Sequence, residues 1–100
     1  MFSHIVYFDL IDKSAEKVDE LIDACNKYLN DHDGTVFYAA GPRCEEMQRD
    51  VNDQEFDVAL HVIFENKDQH DAYQVADRHL AFIAEGKPNW DRVRVFDAFC

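Results

Sequence analysis

The segment "FSHIVYFDLI" (residues 2–11) alternates its side chains in a way that decides the fold of this chain. One face carries Phe2, His4, Val6, Phe8 and Leu10. The other face carries Ser3, Ile5, Tyr7 and Asp9. A period of two residues with many β-branched and aromatic side chains is typical of a strand. We therefore predict a first strand with apolar side chains on both faces.

The segment after this strand predicts an amphipathic helix. Ser14 can cap its first turn, and apolar residues then recur at intervals of three and four positions: Val18, Leu21, Ile22, Cys25, Tyr28 and Leu29. The helix is expected to stop in "NDHDG" (residues 30–34), where Gly34 can adopt the left-handed conformation that ends helices. One face of this helix is therefore buried, and the opposite face is charged.

The remaining elements follow from the same patterns. "TVFYAAG" (residues 35–41) and "FDVALHVIF" (residues 56–64) predict the second and third strands, and the polar segment between them predicts a loop. Asp68 can cap a second helix that runs to about Gly86, where "KPNW" interrupts it because the residue before proline avoids the α region. "DRVRVFDAF" (residues 91–99) predicts the fourth strand. The predicted order is β-α-β-β-α-β, in a single domain over residues 1–100.

This order of elements predicts an α+β fold. Right-handed crossovers turn it into a four-stranded antiparallel sheet with both helices on one face, the ferredoxin-like arrangement. The other face of the sheet then lacks a cover. Because the strands are apolar on both faces, we expect two copies of the chain to pair there, as a homodimer whose sheets form a shared α/β barrel.

Composition and charge restrict the possible partners. The 100 residues include 21 acidic and 10 basic side chains, a net charge of -11 that is spread over both halves of the chain. This negative field repels phosphate backbones and anionic lipid, so neither nucleic acid nor a membrane is an expected partner. Three widely spaced cysteines, Cys25, Cys44 and Cys100, are typical of reduced thiols. We therefore expect a cytoplasmic protein.

Four segments together resemble the stress-responsive dimeric α/β barrel (Dabb) family: "HIVYFDL", "FDVALHVIFEN", the "AYQ…H…F" pattern of residues 72–82, and "VRVFDAF". The resemblance spans nearly the whole chain, and it implies a ferredoxin-like subunit that forms a homodimeric barrel. Some members of the family have no known reaction. The plant olivetolic acid cyclase, another member, performs a cofactor-free aldol cyclisation of a polyketide.

The resemblance implies three candidate catalytic residues. Carried over by position, the catalytic tyrosine of the cyclase falls on Tyr73, its catalytic histidine on His79, and another pocket histidine on His4. In these roles His79 would be the general base, Tyr73 would polarise the substrate carbonyl, and His4 would orient groups or stabilise charge. A further pocket histidine falls on Val58, so the cyclase site is not fully reproduced.

The spacing of Tyr73 and His79 sets a condition on this site. On one continuous helix, six residues fall about 120° short of two full turns, so the two side chains would point to different faces. Relatives often carry His-Pro where this chain has Ala76 and Asp77, and Asp77 can cap a second helical segment that begins near Arg78. A shared pocket therefore requires a break in the helix. From the residues alone, packing at the edge of the core is the more common role for these side chains.

The other polar clusters predict no cofactor and no metal site. His61 with Asp57, "NKDQHD" (residues 66–71) and "NDHDG" match no known metal-ligand spacing, and solvated side chains are the expected interpretation. Arg92 and Arg94 share one face of the last strand. They can pair with acidic residues, across a dimer for example, or bind a carboxylate.

Three hypotheses about function remain open at this point. The first is a Dabb-type homodimer of undetermined biochemical role, with a small pocket for a hydrophobic or aromatic acid. The second is a cofactor-independent, polyketide-cyclase-like enzyme for aldol or enolisation chemistry, and the third is a cofactor-free monooxygenase-like barrel protein. An enzyme predicts a cavity reached by Tyr73, His79 and His4, whereas a structural dimer predicts that Phe and Leu side chains fill this space.

Overall fold

The computed structural model describes residues 1–100 and contains the predicted elements in the predicted order, with the second helix divided into two. The strands are β1 (Phe2–Leu10), β2 (Thr35–Pro42), β3 (Val58–Phe64) and β4 (Trp90–Phe99). The helices are α1 (Ala15–Tyr28), α2 (Lys67–Val75) and α3 (Asp77–Gly86). A short 3-10 turn, Lys87–Asn89, leads into β4. No helix combines the length and the apolar character that crossing a membrane would require.

The four strands form one sheet in the order β2-β3-β1-β4, and every neighbouring pair is antiparallel. This topology confirms the predicted ferredoxin-like α+β fold. In the register of the sheet, His4 of β1 lies between Val62 of β3 and Asp97 of β4. The register therefore brings residues from opposite ends of the chain side by side.

The core lies between the sheet and the helices. Every second residue of β1 and β3 is buried on the helix-covered face, as the alternation predicts. The most enclosed large side chains there include Phe8, Leu29, Leu60 and Phe64, each at most 2% exposed. The other face of the sheet has no helix on it, and Phe37 and Phe96 are each 54% exposed. The predicted uncovered apolar face is therefore present.

The first helix begins as predicted but ends earlier. The Ser14 hydroxyl accepts a hydrogen bond from the backbone N–H of Lys17 and caps α1. The helix stops at Tyr28, before "NDHDG", so the prediction that Gly34 ends it is wrong. Gly34 does adopt the left-handed conformation, with φ of 81°, and a Cβ there would lie 2.5 Å from Cγ of Gln69. The glycine therefore allows α2 to pack closely on the entry to β2.

The second helical region is interrupted at Ala76, which has the extended backbone conformation φ -66°, ψ 145°. The predicted break is present, but the predicted caps are wrong by one or two residues. Asn66 rather than Asp68 caps α2, with its side chain accepting from the N–H of Gln69. Ala76 rather than Asp77 is the N-cap of α3, and no side chain caps this helix. Asp77 instead occupies the first turn, where a carboxylate interacts favourably with the helix dipole.

Candidate functional site

A cavity of about 310 Å³ lies between α2 and α3 and the helix-facing side of β1 and β4. Most of its wall is apolar, with side chains that include Val6, Phe8, Phe82 and Trp90. Its polar members are His4, His70, Tyr73, Gln74, His79 and Asp97. An apolar cavity with a few polar groups is the usual form of a small-molecule site, and this volume lies at the lower end of the range for such sites.

The three residues that the sequence analysis predicted for the site, Tyr73, His79 and His4, all line this cavity. The rings of Tyr73 and His79 lie edge to face, with centroids 4.7 Å apart. The rings of His4 and Tyr73 are 5.9 Å apart. Tyr73 and His79 converge because the extended backbone of Ala76 interrupts the helix between them. The break in the helix that a shared pocket requires is therefore present.

His4 forms a close pair with Asp97 across the β1–β4 register. Its Nδ1 lies 2.5 Å from Oδ1 of Asp97, and the histidine is 4% exposed. With an ionised carboxylate, Nδ1–H donates this hydrogen bond and Nε2 keeps its lone pair. The side-chain amide nitrogen of Gln74 is 3.4 Å from this Nε2. The pair thus fixes the ring of His4 with its basic nitrogen on the side of α2.

His70 is a member of the site that the sequence analysis missed. The expectation that it is a solvated residue is wrong, because it is only 7% exposed and its ring lies 4.8 Å from that of His4. Its Nδ1 is 3.0 Å from Oδ1 of Asp71, and its Nε2 is 3.3 Å from Nε2 of Gln74. Spacings of three and four residues place His70, Tyr73 and Gln74 on one face of α2, and this spacing is the signal that was available.

Burial is the main cause of the pKa shifts of three side chains that line the cavity. Burial above all, with contributions from the charges of His4, His32 and His70, lowers the pKa of His79 to about 4. Burial also lowers the pKa of His4, and Asp97 opposes this change. Burial is likewise the main cause of the raised pKa of Tyr73. At neutral pH the rings of Tyr73 and His79 are therefore uncharged.

Two buried polar atoms of the cavity residues have no partner in the chain. They are Oη of Tyr73 and Nδ1 of His79. The backbone of Gln74 raises the pKa of His79 slightly, but it is outside normal hydrogen-bond geometry with the ring. Most buried side-chain polar atoms in proteins are hydrogen-bonded, so unpartnered ones indicate a site for another molecule.

His4, His70 and Asp97 also form a set of possible metal ligands, with one donor atom from each within 4.8 Å of the others. Two histidines and a carboxylate can bind a transition-metal ion. The 2.5 Å between His4 and Asp97 is a hydrogen-bond distance, however, and is shorter than the about 3.3 Å between ligands of a tetrahedral zinc ion. An ion would have to separate this pair, so the geometry is that of a hydrogen-bonded dyad.

The remaining polar clusters have structural roles within the chain. The expectation that Asp57 is solvated is wrong, because it is buried and accepts hydrogen bonds from the backbone N–H of Leu10 and from Lys13. His61 lies on the opposite sheet face, next to Ile5.

The arginines of the last strand also pair within the chain. Arg94 binds Asp53 at 2.6 Å, and Arg92 lies 4.0 Å from Glu55. Both contacts join β4 to the loop before β3, so neither arginine depends on a partner subunit for its acidic contact.

A larger groove, of about 570 Å³, lies between α1 and the end of α3. Half of the residues in its wall are polar or charged, among them Lys17, Glu20, Asp23 and Lys27. None of the buried, unpartnered polar atoms belongs to a residue of this groove. The smaller cavity is therefore the candidate site.

Solved structures share this fold over nearly the whole chain. A dimeric ferredoxin-like protein of unknown function from Thermobifida fusca has a TM-score of 0.82 and 21% identity, covering 99% of this chain and 90% of that one. A protein from Arabidopsis thaliana has a TM-score of 0.81 and 21% identity, covering 100% and 95%. A Dabb family protein from Mesorhizobium loti has a TM-score of 0.80 and 15% identity, covering 99% and 95%. These identities establish the fold alone.

The sequence has no significant match among curated proteins. The family model described as "Stress responsive A/B Barrel Domain" matches residues 2–100. This match covers both halves of the sheet, all three helices and every residue of the cavity. The chain therefore belongs to the stress-responsive A/B barrel (Dabb) family.

Proposed function

We propose that this chain binds a small, largely apolar carbonyl compound in the cavity and removes a proton from the carbon next to the carbonyl. This enolisation is the first step of aldol-type reactions, such as the cyclisation of a polyketide. The observation that carries the proposal is a pair of buried, unpartnered polar atoms, on Tyr73 and His79, in the same cavity as the His4–Asp97 dyad.

The unpartnered atoms account for binding. A buried polar atom without a hydrogen bond costs roughly 1–3 kcal/mol, which a ligand with complementary atoms recovers. Burial moves the pKa of Tyr73 still further above neutral pH, so its phenol keeps the proton and can donate a hydrogen bond to a ligand oxygen. His79 is uncharged at neutral pH and offers one donor and one acceptor nitrogen. These two rings form the polar contacts for the ligand.

His4 is the better candidate for the base. Asp97 holds the ring in one orientation and stabilises the imidazolium that forms when Nε2 takes up a proton. His79 has no carboxylate partner, and its pKa of about 4 makes it a weak base. We therefore assign proton abstraction to His4 and hydrogen bonding to His79, whereas the family resemblance implied the reverse.

The proton and electron balance of the step is simple. The C–H bond next to the carbonyl breaks, and its proton moves to Nε2 of His4. The electron pair moves to the carbonyl oxygen, where the hydroxyl of Tyr73 donates a hydrogen bond to the developing negative charge. Return of the proton to carbon regenerates the enzyme. No contact in the cavity favours monooxygenase chemistry over this proton transfer.

We also propose that the chain forms a homodimer through the uncovered face of its sheet. The neighbour from Thermobifida fusca is described as dimeric. In this chain the uncovered face exposes Phe96 of β4, which packs against Tyr7, and Phe37 of β2, at the opposite edge of the sheet. All residues that line the cavity belong to one chain, and its strand residues lie on the helix-covered face, so each subunit would carry its own complete site.

Hydrogen–deuterium exchange tests the proposed reaction without knowledge of the natural substrate. The protons next to the carbonyl of 4-phenylbutan-2-one in D₂O are followed by NMR with and without the protein. We expect catalysed exchange in the wild-type protein, and a loss of about 10²-fold or more in His4→Ala. Tyr73→Phe should also slow exchange. His61→Ala, on the opposite sheet face, is the matched control and should exchange at the wild-type rate. Equal exchange in His4→Ala and wild type would rule out the assigned base.

A further inference from the structure

We infer that the cavity takes its ligand in an uncharged form and rejects carboxylate anions. This inference rests on the proposed function, because it concerns the ligand of the same cavity. It differs from the expectation, drawn from the sequence, of a hydrophobic or aromatic acid.

The first observation is the absence of a cation from the wall of the cavity. None of its 15 lining residues is lysine or arginine, and the only side chain with a formal charge at neutral pH is Asp97. A carboxylate in this space would approach a like charge and meet no opposite one. Burial of a charge without a partner is costly, so an anion loses more on leaving water than a ketone or an amide does.

Three arginines neighbour wall residues in the sequence. Arg78, next to His79, is exposed on α3 and donates a hydrogen bond to the backbone carbonyl of Asn30. The other two are on β4. Arg94 lies opposite Tyr7 in the register, on the uncovered face, and binds Asp53. Arg92 lies 4.0 Å from Glu55. The net charge of -11 adds a repulsive field at longer range. None of these arginines lines the cavity, so the wall itself offers an anion no opposite charge.

The polar groups that the cavity does offer suit a neutral ligand. The phenol of Tyr73, the ring of His79 and the amide of Gln74 all form hydrogen bonds without carrying a charge. His4 could become charged, but its proton would then balance the charge of Asp97 at 2.5 Å. An acid can therefore enter only together with one proton, carried either on its own carboxyl group or on His4.

Three isosteric ligands test this inference: 4-phenylbutan-2-one, 3-phenylpropanamide and 3-phenylpropanoate. Their Kd values for the full chain are measured by NMR titration at pH 6, 7 and 8 and constant ionic strength. We expect the Kd values of the ketone and the amide to stay constant. The Kd of the acid should rise about tenfold for each pH unit, because its binding takes up one proton.

A charge variant tests whether Asp97 causes the discrimination. Asp97→Asn should improve binding of the acid at pH 8 relative to the ketone. Asp68→Asn is the matched control, since it removes the same charge from an exposed residue outside the cavity wall and should leave the ratio of the two Kd values unchanged. An equal change in both variants would show that net charge, not the cavity, selects the ligand, and would overturn the inference.

The possible failures are distinguishable. A Kd of the acid that does not change between pH 6 and 8 would overturn the selection of uncharged ligands, and the proposed proton transfer on ketones would stand. If none of the three ligands binds and no exchange is catalysed, the proposed function fails, and the inference fails with it.

Discussion

The rings of Tyr73 and His79 lie edge to face with their centroids 4.7 Å apart, although six residues separate them along the chain. One straight helix cannot bring such a pair together. The extended conformation of Ala76 ends α2 and restarts the chain as α3 in a new direction. The chain thus places two polar rings in one cavity by means of a single non-helical residue.

The conformation at Ala76 predicts that proline is tolerated at the next position. Asp77 is the first residue of α3, where proline fits well, and the extended Ala76 has the backbone that a residue before proline prefers. We expect Asp77→Pro to change the free energy of unfolding in urea by less than about 1 kcal/mol, since the lost carboxylate and the stiffer backbone have opposite effects.

Ala81→Pro is the control for this substitution. Ala81 is also exposed but lies inside α3, where proline removes a helical hydrogen bond and costs about 3 kcal/mol or more. A similar loss of stability in both variants would contradict the break at Ala76.

The lowered pKa of His79 predicts that the protein loses stability in mild acid. The pKa is about 4 in the folded chain and 6.5 in the absence of structure, so between these values the unfolded chain binds a proton that the folded chain excludes. The contribution of neutral His79 to the free energy of unfolding is therefore fully present above pH 6.5. It is lost as the pH decreases towards 4, by up to about 3 kcal/mol. Urea unfolding between pH 7 and 4.5 measures the decrease.

His79→Gln isolates the contribution of this histidine, because glutamine is polar and does not titrate. The variant should lose less stability than the wild type over the same pH range. His4 also has a lowered pKa and acts in the same direction, so some decrease remains. If the free energy of unfolding changed equally with pH in both proteins, His79 would have the same pKa in the folded and unfolded chain.

The His4–Asp97 pair predicts a large effect of a conservative substitution. Asp97→Asn keeps the shape of the side chain but removes the charge that stabilises protonated His4. We expect the rate of α-proton exchange in 4-phenylbutan-2-one to fall at least about tenfold. Asp71→Asn, next to His70, should have a much smaller effect because Asp71 does not contact His4. An unchanged exchange rate in Asp97→Asn would show that the carboxylate of Asp97 does not contribute to catalysis.

The uncovered sheet face predicts the result of placing a charge there. Phe96→Asp should convert the proposed homodimer to a species with the 11.7 kDa mass of one chain, measured by sedimentation at micromolar concentration. Leu80→Asp is the control, since Leu80 is 51% exposed on α3 and Phe96 is 54% exposed on the sheet. This control should keep the mass of the wild type. A wild-type mass near 11.7 kDa would contradict the dimer itself.

The local patterns of the sequence determined the elements and their order. Alternation in β1 and β3 and the apolar stripe of α1 predicted which face each element buries, because these periods follow from backbone geometry. Helix ends were less predictable. Asn66 caps α2 where Asp68 was expected, since neighbouring polar residues can each serve this role and packing selects among them. The helix α3 follows the extended backbone of Ala76 without a side-chain cap, so no cap residue marked its start in the sequence.

The sequence by itself determined that Tyr73, His79 and His4 were candidates, through a resemblance to a family. Only the tertiary structure decided their partners. Asp97 lies 93 residues from His4 along the chain and meets it because the antiparallel register of β1 and β4 places the two opposite each other. The alternation in β1 excludes a slip of one residue in that register, but a slip of two residues would keep every side chain on its face and place His4 opposite a residue other than Asp97.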